Sequence, residues 1–110
     1  MFGIQVLENK PHESYSWTEP PKVLAVAVIG YDLLVYSAPP PNRHHDLLLY
    51  MGTCLQHPWP VGSGSIDDDG FLLSNGAYAT REQAKVFAAY HGQLLPTASE
   101  SPSLFSEDLW

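Results

Sequence analysis

The run Lys22-Val-Leu-Ala-Val-Ala-Val-Ile29 constrains the fold more than any other segment of the chain. It is apolar, rich in β-formers, and bounded by Pro21 and Gly30, which marks it as a strand. A strand needs a partner, and Tyr31-Asp32 followed by Leu33-Leu-Val-Tyr-Ser37 supplies a turn and a returning strand. Pro39 to Pro41 end that second strand, because proline has no N–H to give a central ladder. Upstream, Phe2 to Leu7 reads as a short strand, and the polar stretch from Glu8 to Pro21 reads as a loop.

The spacing beyond the prolines becomes helical. Leu47, Tyr50, Met51 and Cys54 recur at i, i+3, i+4 and i+7, so a helix is predicted over Arg43 to Leu55 with Asn42 as its N-cap. Gln56 to Asp69 is rich in Pro, Gly, Ser and Asp and reads as a long loop. Gly70 to Leu73 and Ala77-Tyr78 bracket Ser74-Asn75-Gly76, a hairpin signal. Thr80 and Gln83 form a capping box at the start of a second helix, whose inner face carries Ala84, Phe87, Ala88 and His91, and Gly92 stops it. Leu94-Leu95 adds a predicted edge strand. The tail from Leu104 to Trp110 ends on Leu-Trp and is expected to dock on its own domain or on a neighbouring subunit. The expected architecture is a single α+β domain over residues 1–110. It has a small antiparallel sheet, two helices and a docked C-terminal tail, with a loosely structured strand and loop over residues 1–21.

Charge narrows the function. Five Lys and Arg stand against twelve Asp and Glu, a net charge of -7, which disfavours long nucleic acid but leaves room for a small phosphorylated molecule in a local positive pocket. The single cysteine, Cys54, forms no intramolecular disulfide and falls on the apolar helix spacing, where burial is expected, and it points to a reducing, cytoplasmic setting. No apolar run approaches the ~20 residues of a membrane span, and no signal-peptide pattern follows Met1. No cofactor is implied.

The chain has only two arginines, and each opens a predicted helix: Arg43 in Arg-His-His-Asp and Arg81 after Thr80. A helix start carries partial positive charge and favours acidic side chains, so this placement is locally unfavourable unless an anion joins it. Arg43 and His44 with the helix N–H groups are one candidate phosphate grip, and Arg81 is another. Phe71 and Tyr78, on the same hairpin, are candidates for stacking on a purine. A competing reading makes His44 or His45 a general base oriented by Asp46, but adjacent residues on a helix do not face each other. Neither His57 nor His91 completes a recognised metal spacing. Asp67-Asp68-Asp69 lacks the alternation of a calcium loop and reads as a solvated acidic turn.

Taken together, several pieces resemble the phage anti-Thoeris sponge family, also called Thoeris anti-defence protein 1. They are Arg43-His44-His45-Asp46, Gly70-Phe71 through Ser74-Asn75-Gly76, Tyr78-Ala79-Thr80-Arg81-Glu82-Gln83-Ala84, Gly92-Gln93, and Ser106-Glu107-Asp108-Leu109-Trp110. The likeness covers most of the chain from Val23 onward. It implies a non-enzymatic binding protein in the cytoplasm of an infected bacterium. Such a protein sequesters a cyclic nucleotide-like immune signal, glycocyclic ADP-ribose or a cyclic oligonucleotide, in pockets between self-associating subunits. It further implies that Phe71 lines the signal pocket and that Arg43 and Arg81 lie near phosphate. On this sponge hypothesis Tyr78 would join Phe71 in stacking on the base and His44, Thr80 and Gln93 would add polar contacts, with Thr80 standing where the family pattern has Asn or Asp. Two other classes compete: a phosphodiesterase-like enzyme using His44 or His45, and a protein–protein inhibitor using the acidic surface and the Leu109-Trp110 tail.

Overall fold

The computed structural model describes residues 5–7, 20–64 and 68–110. Five strands form one sheet: β1 (Gln5–Leu7), β2 (Val23–Ile29), β3 (Val35–Ala38), β4 (Asp69–Leu73) and β5 (Tyr78–Thr80), in the order β1-β3-β2-β4-β5. Every pairing is antiparallel. Two helices, α1 (His44–Thr53) and α2 (Arg81–Tyr90), complete the α+β fold.

The apolar run takes the central place. β2 alternates Val26 and Val28 with Ala25, Ala27 and Ile29, and all five are buried, so both faces of the central strand are covered. A register irregularity between Val23 and Ala25 turns Leu24 outward. The larger core lies on the helix-bearing face, where Val26, Val28, Tyr36, Phe71, Leu73 and Ala79 meet Leu47 and Met51 of α1 and Ala84 and Ala88 of α2. Leu47 and Met51 are one helical turn apart, as are Ala84 and Ala88, so each pair lies on one side of its helix.

The β4–β5 turn follows its sequence signal. Gly76 has φ +86°, Leu73 N–H donates to the Ala77 oxygen at 2.9 Å, and Ala77 N–H donates to Asn75 Oδ1 at 3.1 Å. Thr80 caps α2 as predicted: its Oγ1 accepts from Gln83 N–H at 3.3 Å, and Gln83 Oε1 accepts from Thr80 N–H at 3.0 Å. No loop intervenes between β5 and α2, so residue 81 is placed by both the sheet and the cap.

Several local expectations are corrected. Arg43, not Asn42, is the N-cap of α1. Asn42 turns back to donate to the Pro39 oxygen at 2.8 Å, while Asp46 accepts from Arg43 N–H at 2.8 Å. Leu33 has φ +65° and belongs to the turn, so β3 starts two residues later than predicted. Cys54 is exposed at the end of α1, because the helix stops at Thr53 before its apolar stripe comes round again. Leu94-Leu95 forms no strand; Leu95 N–H donates instead to the Asp108 oxygen at 2.8 Å. Asp68 is buried, not solvated. It accepts from Ser63 N–H at 2.8 Å, from Gly64 N–H at 3.0 Å and from the Ser63 hydroxyl. The expected strand over Phe2 to Leu7 is observed only as β1, and the loop from Glu8 lies outside the described residues as far as Glu19.

The tail docks on its own domain. Leu104 is fully buried in the helix-side core, and Leu109 and Trp110 pack against that core. Trp110 Nε1 donates to the Asn42 oxygen at 3.0 Å, which ties residue 110 to the approach of α1.

Candidate functional site: a two-arginine cleft

Both arginines line one cleft of about 120 Å3, together with His44, His45, Phe105, Ser106 and Glu107. Topology explains the convergence. Arg43 caps α1 and Arg81 is the first residue of α2, and the C-terminal segment crosses between them to form the opposite wall. Arg43 Nη1 donates to Ser106 Oγ at 3.2 Å, and its Nη2 donates to the Trp110 oxygen at 2.5 Å. Arg81 Nη1 donates to the Leu104 oxygen at 2.8 Å, and the Arg81 main-chain oxygen accepts from Leu104 N–H at 3.0 Å. The unfavourable helix-start placement thus has an internal partner: each guanidinium staples the tail. A guanidinium carries five N–H donors, so these bonds leave capacity on both.

The Arg81 guanidinium also lies over the Phe105 ring, 5.2 Å from its centroid. Its ionic partner is Asp69, with an N···O distance of 3.7 Å. That carboxyl is raised from its ordinary range first by burial and then by Asp68, against the pull of Arg81. A long, partly exposed pair of this kind is worth only about 0–1 kcal/mol, so it does not neutralise Arg81 firmly. Among the described residues, Glu107, exposed, is the one Asp or Glu in the cleft lining.

His44 is buried beside the arginines, 7% exposed. Its Nε2 lies 2.6 Å from the Gly70 oxygen, and its ring meets Phe71 edge-on at 5.0 Å between centroids. Burial pushes its pKa down to about 4, and the positive charge of Arg81 pushes the same way, against the Gly70 bond. The imidazole is therefore neutral at pH 7. A carbonyl only accepts, so the proton resides on Nε2. The positive charge of the cleft comes from the arginines and not from His44.

Phe105 is held from behind. Its N–H donates to Asp108 Oδ2 at 2.9 Å, at the start of a 3-10 turn over Ser106–Asp108. Asp108 is almost fully buried and also accepts from Ser99 N–H at 2.9 Å, with Lys85 Nζ at 3.8 Å. Burial pushes its carboxyl up, but the Ser99 and Phe105 N–H groups and Lys85 together hold it below the usual carboxylate range. An ionised carboxylate thus organises the segment that walls the cleft.

Of the seven residues singled out in the sequence, Arg43, His44 and Arg81 meet in the cleft. The other four do not line it. Phe71 is fully buried in the core under His44. Tyr78 is buried on the opposite face: it stands across from Leu72, whereas Phe71 stands across from Ala79, and successive strand residues alternate sides. Phe71 and Tyr78 therefore cannot sandwich one ring. The Thr80 hydroxyl caps α2. Gln93 clamps β2 through both amide ends, Oε1 accepting from Val23 N–H at 2.9 Å and Nε2 donating to the Val23 oxygen at 2.8 Å. Sequence reasoning missed Phe105 and Ser106; the signal available was the tail ending on Leu-Trp, which marked residues 104–110 as docked without saying where.

Among the described residues, no group of three or more His, Cys, Asp and Glu is arranged to hold a metal ion. No helix among them is long and apolar enough to cross a membrane. Residues 23–110 match the model of a protein family described as phage T4 y16D protein. No curated protein and no solved structure matches the chain.

Proposed function

The chain belongs to the phage T4 y16D protein family, and from its two-arginine cleft we infer that it captures a small phosphorylated signal without cleaving it. The ligand class is a cyclic nucleotide-like immune signal, glycocyclic ADP-ribose or a cyclic oligonucleotide, held in the host cytoplasm. One observation carries this reading: the only two arginines of a chain with net charge -7 line the same cleft at the start of α1. Charge-assisted bonds from guanidinium to phosphate are among the strongest polar contacts available, and a helix N-terminus favours the same anion.

Size shapes the reading further. A cleft of about 120 Å3 admits a phosphate group, whereas a site that encloses a drug-sized ligand spans about 300–1,000 Å3. A nucleotide seated by its phosphate would emerge past the rim, where a second copy of the chain would complete the enclosure. Self-association is thus part of the proposal. The competing classes fit less well. A general base at His44 has its Nε2 occupied by the Gly70 carbonyl, which leaves the enzyme reading to His45 in the cleft lining, and an inhibitor built on Leu109-Trp110 would need side chains that are packed against the core.

The test is to incubate the protein with a panel of cyclic dinucleotides, cyclic trinucleotides and cyclic ADP-ribose isomers, remove unbound ligand, denature, and identify what is released by mass spectrometry. Recovery of an intact compound supports capture. Recovery of products identifies an enzyme, and recovery of nothing from any compound overturns the reading.

A further inference from the structure

We propose that Phe105 is the platform on which the ring of the bound nucleotide stacks, so that the cleft selects a phosphate carrying a flat base over a phosphate alone. This rests on the capture reading above and adds a specificity-determining residue to it. Among the described residues, Phe105 is the one benzenoid ring in the cleft lining, beside the imidazoles of His44 and His45, and it stays 39% exposed. Leaving a phenyl ring in water is unfavourable by its apolar area, yet the main chain that carries this ring is fixed at the cleft wall by its N–H bond to Asp108 Oδ2 at 2.9 Å. The Arg81 guanidinium, 5.2 Å from the ring centroid, ties the ring to the group that would hold the phosphate. A ligand anchored between the arginines therefore passes Phe105 as it leaves the cleft. Base–aromatic stacking tolerates any base, because every base has a π face.

The experiment compares 5′-AMP with ribose 5-phosphate by calorimetry on the full chain. The two carry the same phosphate and differ in the base. The wild type is expected to bind 5′-AMP on the order of tenfold more tightly. Phe105→Leu, which keeps apolar volume but removes the π face, should bring the ratio close to one while ribose 5-phosphate binding stays unchanged. Phe105→Trp should keep or raise the ratio. If both compounds bind the wild type equally, or if Phe105→Leu keeps the preference, the Phe105 assignment is wrong and the anion site stands. If neither compound binds the wild type, the anion site fails and the Phe105 assignment fails with it.

Discussion

His44, expected as a ligand contact or a catalytic base, lines the cleft while its ring packs edge-on against Phe71 with Nε2 on the Gly70 oxygen. With its folded pKa near 4, below the 6.5 of an exposed imidazole, the unfolded chain binds more protons between those values. Its contribution to stability is therefore complete above pH 6.5 and is lost as pH falls toward 4, by up to about 3 kcal/mol. Urea unfolding at pH 7 and pH 5 should show the lower midpoint at pH 5, and His44→Gln should flatten that slope. A midpoint independent of pH in the wild type would contradict the burial of a neutral imidazole. The same residue shows the reach of sequence reasoning at this scale. Arg43 and Arg81 were legible as candidate cleft residues because their placement defied the helix dipole, and the fold brings both to one cleft. Phe71 and Tyr78 were not, because composition reveals that a strand aromatic is present but not which face it takes.

At the scale of elements, the β4–β5–α2 unit sets Arg81. Thr80→Ala removes the Oγ1 acceptor of the cap and should cost about 1 kcal/mol in denaturant unfolding; an unchanged midpoint would mean the cap is dispensable. Gly70 is tighter. A Cβ there would lie 2.1 Å from the Ala79 oxygen and 2.5 Å from the Tyr78 hydroxyl oxygen. Gly70→Ala must push β4 from β5 and is expected to destabilise by about 3 kcal/mol. Because the Gly70 carbonyl is the partner of His44, the displacement also reaches the cleft. The hairpin and the second helix were readable from Asn75-Gly76 and Thr80-Gln83, both local signals. Leu94-Leu95 was misread as a strand because its pairing is with the tail, a long-range contact that no local pattern encodes.

On the scale of the whole molecule, the C-terminal segment is both core and wall. Leu104 fills the helix-side core, so Leu104→Ala should cost about 3 kcal/mol from lost transfer and cavity terms, measured by urea unfolding. The tail's closeness to both helix starts also explains how a chain of net charge -7 gathers its two arginines at one place. That juxtaposition was invisible in the sequence, since residues 43, 81 and 104–110 are joined only by the fold. It is also the claim on which the capture reading depends. The most direct measurement is calorimetric titration of 5′-AMP into wild type, Arg43→Ala and Arg81→Ala, with folding checked by circular dichroism. A single site per chain, with affinity reduced on the order of tenfold or more in each folded variant, is the predicted result. Full affinity in either folded variant would show that the two arginines do not share one anion.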